Sequence, residues 1–229
     1  MTKINLIKLG LAGVLLVATL CANAVQEVKA QSSVNKVFRR MQSNYKLIKV
    51  LKADIRLTNH DAVLGVDDLY EGAVIFVPRS KRNKKFFRVD WVKPFQEYLT
   101  VTGHEYVLYR PRLKEAFAGK FEETTVNGPL ALLNTNKTQL KAMYSVRYLG
   151  SETIEGGVKT EHLEFTPKIF TSYKTAEVWI DGSGMPIRIR VNEQNNDVTT
   201  ILLSNVKRNL TIPDLLTIKL PANIKTIRQ

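Results

Sequence analysis

The chain has 229 residues, 44% of them apolar and 24% charged, which is enough material for one medium domain with its own core and excludes disorder throughout. Its 34 Lys and Arg against 21 Asp and Glu give a formal charge of +13, which suits an anionic surface or a basic domain with no such partner. A single cysteine, Cys21, and three histidines, His60, His104 and His162, exclude a disulfide framework and every multi-cysteine metal site.

The N terminus comes first in chain order. Lys3 and Lys8 precede an apolar run from Leu9 to Leu20, and Ala22-Asn23-Ala24 follows. This is the charge, apolar stretch and small-x-small site of a secretory signal peptide, and about twelve apolar residues fall short of the roughly twenty that span a bilayer. Residues 1–24 are therefore read as a signal peptide and 31–229 as a single domain, with Val28-Lys29-Ala30 as a second cut site. Cys21 leaves with the signal in this reading. The rival, a lipid-modified Cys21, wants a small residue just before the cysteine, where the chain has Leu20.

From Ser33 to about Ile48, Val34, Phe38, Met41, Tyr45 and Ile48 recur in steps of four and three, the stripe of an amphipathic helix. The period then changes to two: Leu51, Ala53, Ile55 and Leu57 alternate with Lys52, Asp54, Arg56 and Thr58, as in a strand with one dry and one wet face. Tyr70 to Val77, Phe86 to Val92, Glu97 to Val101, Glu105 to Arg110, Tyr144 to Gly150, Glu161 to Thr166, Ala176 to Asp181, Ile187 to Val191 and Thr199 to Val206 read as further strands. Thr102-Gly103-His104, Glu155-Gly156-Gly157 and Asp181-Gly182-Ser183-Gly184 are hairpin connections, so consecutive strands are expected to pair antiparallel. Between Gly128 and Met143 period two is lost; Pro129, Leu130, Leu132, Leu133, Leu140 and Met143 predict one or two short helices, read as an inserted lid. About ten strands and two helical segments predict a mainly β, α+β domain: one antiparallel sheet, too wide to stay flat, curling with helix against its concave face.

No H-x-x-x-H, H-E-x-x-H, G-x-S-x-G, P-loop or G-x-G-x-x-G pattern occurs, so no catalytic residue, metal site or cofactor is assigned and the chain is not read as an enzyme. The basic run Arg79, Lys81, Arg82, Lys84 and Lys85 ahead of Phe86 and Phe87 has the make-up of a single-strand nucleic-acid surface. An exported protein rarely meets that ligand. The run is read as a solvated loop or a contact with anionic membrane, and no nucleic-acid partner is expected.

The stretch Phe87-Arg88-Val89-Asp90-Trp91-Val92-Lys93-Pro94, then Tyr98 to Pro111 with its Thr102-Gly103 turn, resembles the outer-membrane lipoprotein carrier family, LolA-like proteins. The tail Ile201-Leu202-Leu203-Ser204-Asn205-Val206 with Asn209, then Pro221, is similar to the family's last strand and its N-V-x-x-N ending. Signal peptide, first helix, Glu71-Gly72-Ala73-Val74 strand and Leu-rich mid-chain helix follow in family order.

The resemblance implies an unclosed half-barrel covered by a helical lid, acting in the periplasm as a monomer. Such a carrier takes lipoprotein acyl chains from an inner-membrane ABC-type release complex to an outer-membrane acceptor. Val74, Phe76, Phe87, Val89, Trp91, Leu99 and Val101 would line the lipid cavity, and Leu130, Leu132 and Leu133 would form the lid. The family latches its lid with an arginine in a V-x-R-P pattern. Here the chain reads Phe76-Val77-Pro78-Arg79, so Arg79 is the latch candidate, with Arg82 as its rival. An RseB-like envelope sensor and a LolB-like outer-membrane acceptor are the alternatives within the same fold.

Overall fold

Alternating apolar and polar residues make extended backbone the only conformation that puts one side of each segment out of water, and the chain takes it almost throughout. The computed structural model describes residues 31–78, 85–120, 137–211, 218, 220–222 and 224–228. Helix α1 runs over 31–47. The strands are β1 (Leu51–Asp61), β2 (Val66–Val77), β3 (Phe86–Lys93), β4 (Glu97–Thr102), β5 (Glu105–Arg110) and β6 (Glu115–Lys120). A short helix α2 (Lys137–Met143) leads into β7 (Tyr144–Ile154), β8 (Val158–Pro167), β9 (Tyr173–Asp181), β10 (Pro186–Glu193) and β11 (Val198–Arg208), and β12 (Lys225–Arg228) closes the series.

All twelve strands belong to one open, curved sheet in the order β12-β6-β5-β4-β3-β2-β1-β11-β10-β9-β8-β7. Within β1 to β6 and within β7 to β11 each strand pairs antiparallel with its successor as expected, while β6 does not meet β7 nor β11 β12; two junctions are non-local, β1 against β11 and the parallel pair β6 with β12. Two strands exceed the sequence expectation. In β6, Ala116, Ala118 and Gly119 blur the contrast between faces, and β12 is four residues long with a single apolar one, Ile227.

Helix α1 lies on one face, here called the inner face. Its Val34, Val37 and Phe38 bury against Leu163, Phe165, Ala176, Val178, Ile180, Ile189 and Val191 of β8, β9 and β10, with Leu140 of α2 and Tyr144 alongside. Phe165 is fully buried, its ring edge-on to Tyr144 at 5.9 Å and tilted to Phe38 at 6.1 Å. The buried hydroxyls of Tyr144 and Tyr173 satisfy each other at 2.7 Å, and burial followed by that bond pushes the Tyr173 phenol up.

The two asparagines of the N-V-x-x-N ending each hold a backbone kink. Asn205, at φ 50°, sits where β1 and β11 slip register between Lys52 and Asp54, and its amide donates to Asp54 Oδ2 at 2.6 Å. Asn209, at φ 56°, caps the end of α1: its Nδ2 donates to the Leu47 carbonyl at 3.0 Å, while its Oδ1 accepts from the Lys49 amide at 2.8 Å. Helix end, β1 start and β11 end are thereby pinned together.

Candidate functional site

Directly opposed residues in a sheet share a face, so the pairing register sorts every side chain. Val74 opposes Val89, Val89 opposes Leu99, Leu99 opposes Leu108 and Leu108 opposes Phe117. The neighbouring row is Phe76, Phe87, Val101 and Tyr106. Trp91 opposes Gly72, which opposes Ile55. All seven residues that the sequence assigns to a cavity thus stand on one face. Through β1 this is the same face that carries α1, because Leu51 opposes Phe76, Ala53 opposes Val74 and Leu57 opposes Ile201, itself opposite Ile189.

Packing divides the seven. Val74 and Val89 are buried in a cluster with Ala53 and Ile55, while Phe87, Trp91, Ile201, Leu203 and Val206 pack around its margin. Phe76, Phe87, Trp91, Leu99 and Val101 are only half-buried. Tyr45 near the end of α1 reaches the Phe76 ring at 6.5 Å, and Tyr70 meets Trp91 edge-on at 5.9 Å. The lid residues Leu130, Leu132 and Leu133 and the latch candidates Arg79 and Arg82 lie outside the described residues.

The register extends the face beyond the seven, to Tyr106, Leu108 and Phe117 on β5 and β6. Tyr106 and Leu108 alternate plainly in Glu105 to Arg110 and were open to detection; Phe117 stands in the strand that its alanines conceal. From β2 to β6 the face is roughly 19 Å wide at about 4.8 Å per strand; its rows through Val89 and Phe87 are apolar, while the row through Trp91 runs on to Glu97, Arg110 and Glu115. Chemically it can take up an extended alkyl chain through dispersion and loss of water contact.

The opposite, outer face mixes charged residues with a small buried cluster of Ile75, Val77 and Phe86, and carries a feature that the sequence does not announce. A cleft of about 680 Å³ opens between the β7–β8 turn and strands β1, β2 and β11, lined by Arg56, Glu71, Ile154, Glu155, Leu202 and Asn205 among others. Arg56 spans it, with Nη1 on Glu155 at 3.0 Å and Nε on Glu71 at 3.4 Å, while Lys93 Nζ holds the other Glu71 oxygen at 2.7 Å. Glu155, then Glu71, raises the Arg56 guanidinium; Lys93, then Arg56, holds the Glu71 carboxyl below the usual carboxylate range. Its Arg56 is already paired with carboxylates, so the cleft offers little to an anionic ligand. Among the described residues no group of three or more His, Cys, Asp and Glu stands in position to hold a metal ion, and no helix is long and apolar enough to cross a membrane.

An open, curved antiparallel sheet with one apolar face half covered by helix defines a class, the unclosed half-barrels. Residues 81–216 match the family described as outer membrane lipoprotein carrier protein LolA, more than half of the chain, and the chain belongs to that family. No curated protein sequence matches it. Among solved structures, an uncharacterized conserved protein from Thermus thermophilus is similar at TM-score 0.58 and 14% identity, over 86% of this chain and 99% of that one. MucB is similar at TM-score 0.55 and 11% identity, over 86% of this chain and 65% of MucB. MucB in complex with MucA(peri) gives TM-score 0.51 at 10% identity, over 84% of this chain and 61% of that one. At such identities these likenesses speak to fold alone.

Proposed function

We propose that the chain is an exported periplasmic carrier that holds the acyl chains of lipoproteins against the β2–β6 half of its inner face and moves them between inner and outer membranes. The observation that supports this reading is the continuous apolar face through Val74, Val89, Leu99, Leu108 and Phe117, flanked by the half-buried Phe76, Phe87, Trp91 and Val101. A face of that kind costs a folded protein stability unless a ligand or a cover uses it. Lifting a chain of about sixteen carbons out of a bilayer costs roughly 12 kcal/mol at about 0.8 kcal/mol per CH₂, so a shuttle must return an equivalent dry surface.

In this reading Leu130, Leu132 and Leu133 cover the empty face and Arg79 latches them, an inner-membrane ABC-type complex loads the carrier, and an outer-membrane acceptor unloads it. Native mass spectrometry of protein purified from the periplasm tests the proposal. A co-purifying lipoprotein or diacyl lipid that is absent from a Phe87→Glu/Val101→Glu variant of unchanged fold supports it. Equal lipid occupancy in the variant, or none in either protein, overturns it. A lipid-free complex with a soluble protein domain would favour a regulator instead, a reading to which the MucB complex with MucA(peri) lends its fold.

A further inference from the structure

Turns of an antiparallel sheet alternate between its two ends, so the register also sorts the loops. The β1–β2, β3–β4, β5–β6, β8–β9 and β10–β11 turns share one end; the β4–β5, β7–β8 and β9–β10 turns share the other. Exposed large hydrophobics gather at the first end among the described residues. Phe170 is 89% exposed, Ile169 69%, Leu113 51% and Phe95 50%, each at or beside a turn. A water-facing turn needs no Ile-Phe pair; the β10–β11 turn at the same end has Gln194, Asn195, Asn196 and Asp197.

Cations accompany these hydrophobics. Lys168 and Lys174 flank Ile169 and Phe170 with no acid between them, and Lys168 Nζ reaches the Lys141 carbonyl at 2.6 Å, bringing α2's own lysine beside the turn. Arg112 lies over the Phe95 ring, 4.0 Å from its centre, with Lys114 two residues on. The acids near the β3–β4 and β5–β6 turns are engaged, Glu97 by Arg110 at 3.2 Å and Glu71 by Lys93 at 2.7 Å, apart from Glu115 at the start of β6. The β1–β2 turn, which stands between these groups in the strand order, is as apolar at Val63 and Leu64 but carries Asp61, Asp67 and Asp68, so the cationic surface is two patches, the β3–β4 and β5–β6 turns on one side of it and the β8–β9 turn on the other.

We infer that the end of the sheet bearing the β3–β4, β5–β6 and β8–β9 turns is a docking rim for an anionic lipid bilayer, with Phe95, Leu113, Ile169 and Phe170 entering the interface and Arg112, Lys114, Lys168 and Lys174 meeting the headgroups. Exposed aromatic and aliphatic tips beside lysine and arginine are the chemistry of interfacial binding: apolar area leaves water while the cations gain an anionic surface. A soluble protein partner would match the apolar tips, but the surplus of cations on a chain of +13 favours a surface of fixed negative charge. The rim does not depend on the carrier reading, since its residues are not those of the inner face.

Sedimentation with vesicles of phosphatidylcholine alone and of phosphatidylcholine with phosphatidylglycerol tests it. Binding to the anionic vesicles that weakens with salt is expected, and Ile169→Ser/Phe170→Ser should weaken it about tenfold or more without altering the thermal midpoint, both side chains being exposed. Lys168→Gln/Lys174→Gln should weaken it and flatten the salt dependence, while Leu47→Ser, at the end of α1 away from these turns, should change nothing. Absence of vesicle binding, or unchanged binding by the Ile169/Phe170 variant, overturns the proposal. So does loss of binding only when Arg79, Lys81, Arg82, Lys84 and Lys85 are neutralised, or a concentration-dependent dimer that the Ile169/Phe170 variant abolishes. None of these outcomes bears on lipid occupancy of the inner face, which the mass spectrometry reads separately.

Discussion

One inner face serves two halves of the sheet that are finished differently. Over β8, β9 and β10, α1 seals it: Leu163, Phe165, Ala176 and Ile180 are fully excluded from water. Over β2 to β6 the same alternation leaves Phe76, Phe87, Trp91, Leu99 and Val101 half-buried. The residue types hardly differ, valine, leucine and aromatics in both. Cover, not hydrophobicity, separates the two: α1 dries one half, and in the proposed reading a ligand would use the other, so the two halves should answer mutation differently.

The largest effect is expected in the sealed half. Phe165→Ala empties a site in contact with Phe38 and Tyr144 and should cost about 3–5 kcal/mol, read as a shift in the denaturation midpoint, while the folded fraction binds an apolar fluorescent probe as before. Loss of probe binding by protein that is still folded would merge the two halves into one site. Next comes Gly184→Ala, at the seam between the β9–β10 turn and α1. Gly184 has φ +89°, and an added Cβ would stand 2.5 Å from the Arg40 carbonyl oxygen, so the helix must move off the sheet or the turn must open. A loss of roughly 2–3 kcal/mol is expected. Gly65→Ala, at φ +65° with nothing within 4 Å, isolates the conformational part and should cost only about 1 kcal/mol. Equal losses at Gly184 and Gly65 would mean that the contact with α1 adds nothing.

Much of this division is legible in the sequence, because period two and period three-and-four patterns report directly which side chains need a dry face. The seven residues from Val74 to Val101 fall on one face for that reason alone. The N-V-x-x-N ending is legible as a motif, although its work, a bulge held by Asn205 and a helix cap made by Asn209, depends on partners about 150 residues away. What escapes is what depends on long-range pairing: β12 laid parallel to β6, and the Arg56 bridge to Glu155 across 99 residues. Strand β6 escapes for a local reason, since Ala116 and Ala118 on one side and Gly119 on the other give no clear contrast of polarity. Which stretch of the inner face α1 dries was likewise beyond sequence periodicity, because alternation says that a side is dry and not what dries it.

In the open half, Trp91→Ala should cost less stability and more binding. Its ring is half-buried, edge-on to Tyr70 and at the margin of the Val74 and Val89 cluster, so about 1–2 kcal/mol is expected, below the loss at Phe165. Probe affinity should fall several-fold. Titration of the purified variant with the probe, alongside its unfolding curve, gives both numbers; unchanged affinity and unchanged stability together would remove Trp91 from the site.

The smallest effect is expected on the outer face, where Glu71, Arg56 and Glu155 tie the open half, through β2, to the β7–β8 turn of the sealed half. Lys93 and then Arg56 hold the Glu71 carboxyl below its usual range, so its ionised form is favoured by folding. That contribution is fully present at pH above the unfolded carboxylate value and is lost as pH falls through the lower folded one, because the folded protein must then give up its ion pairs to bind the proton. Glu71→Gln, which keeps the shape and drops the charge, should therefore be slightly less stable than the parent near pH 7, with the gap closing once the pH falls below the lowered folded value of the carboxyl, where both side chains are neutral. Urea unfolding at neutral pH and in acid measures the difference. A gap that persists in acid would assign Glu71 a packing role, and one that opens only in acid would reverse the sign argued here. With Glu155→Gln in parallel, the same experiment asks which end of the strap matters more: a smaller neutral-pH loss there than at Glu71 is expected, because Glu71 pairs with both Lys93 at 2.7 Å and Arg56 at 3.4 Å, while the more exposed Glu155 pairs with Arg56 at 3.0 Å.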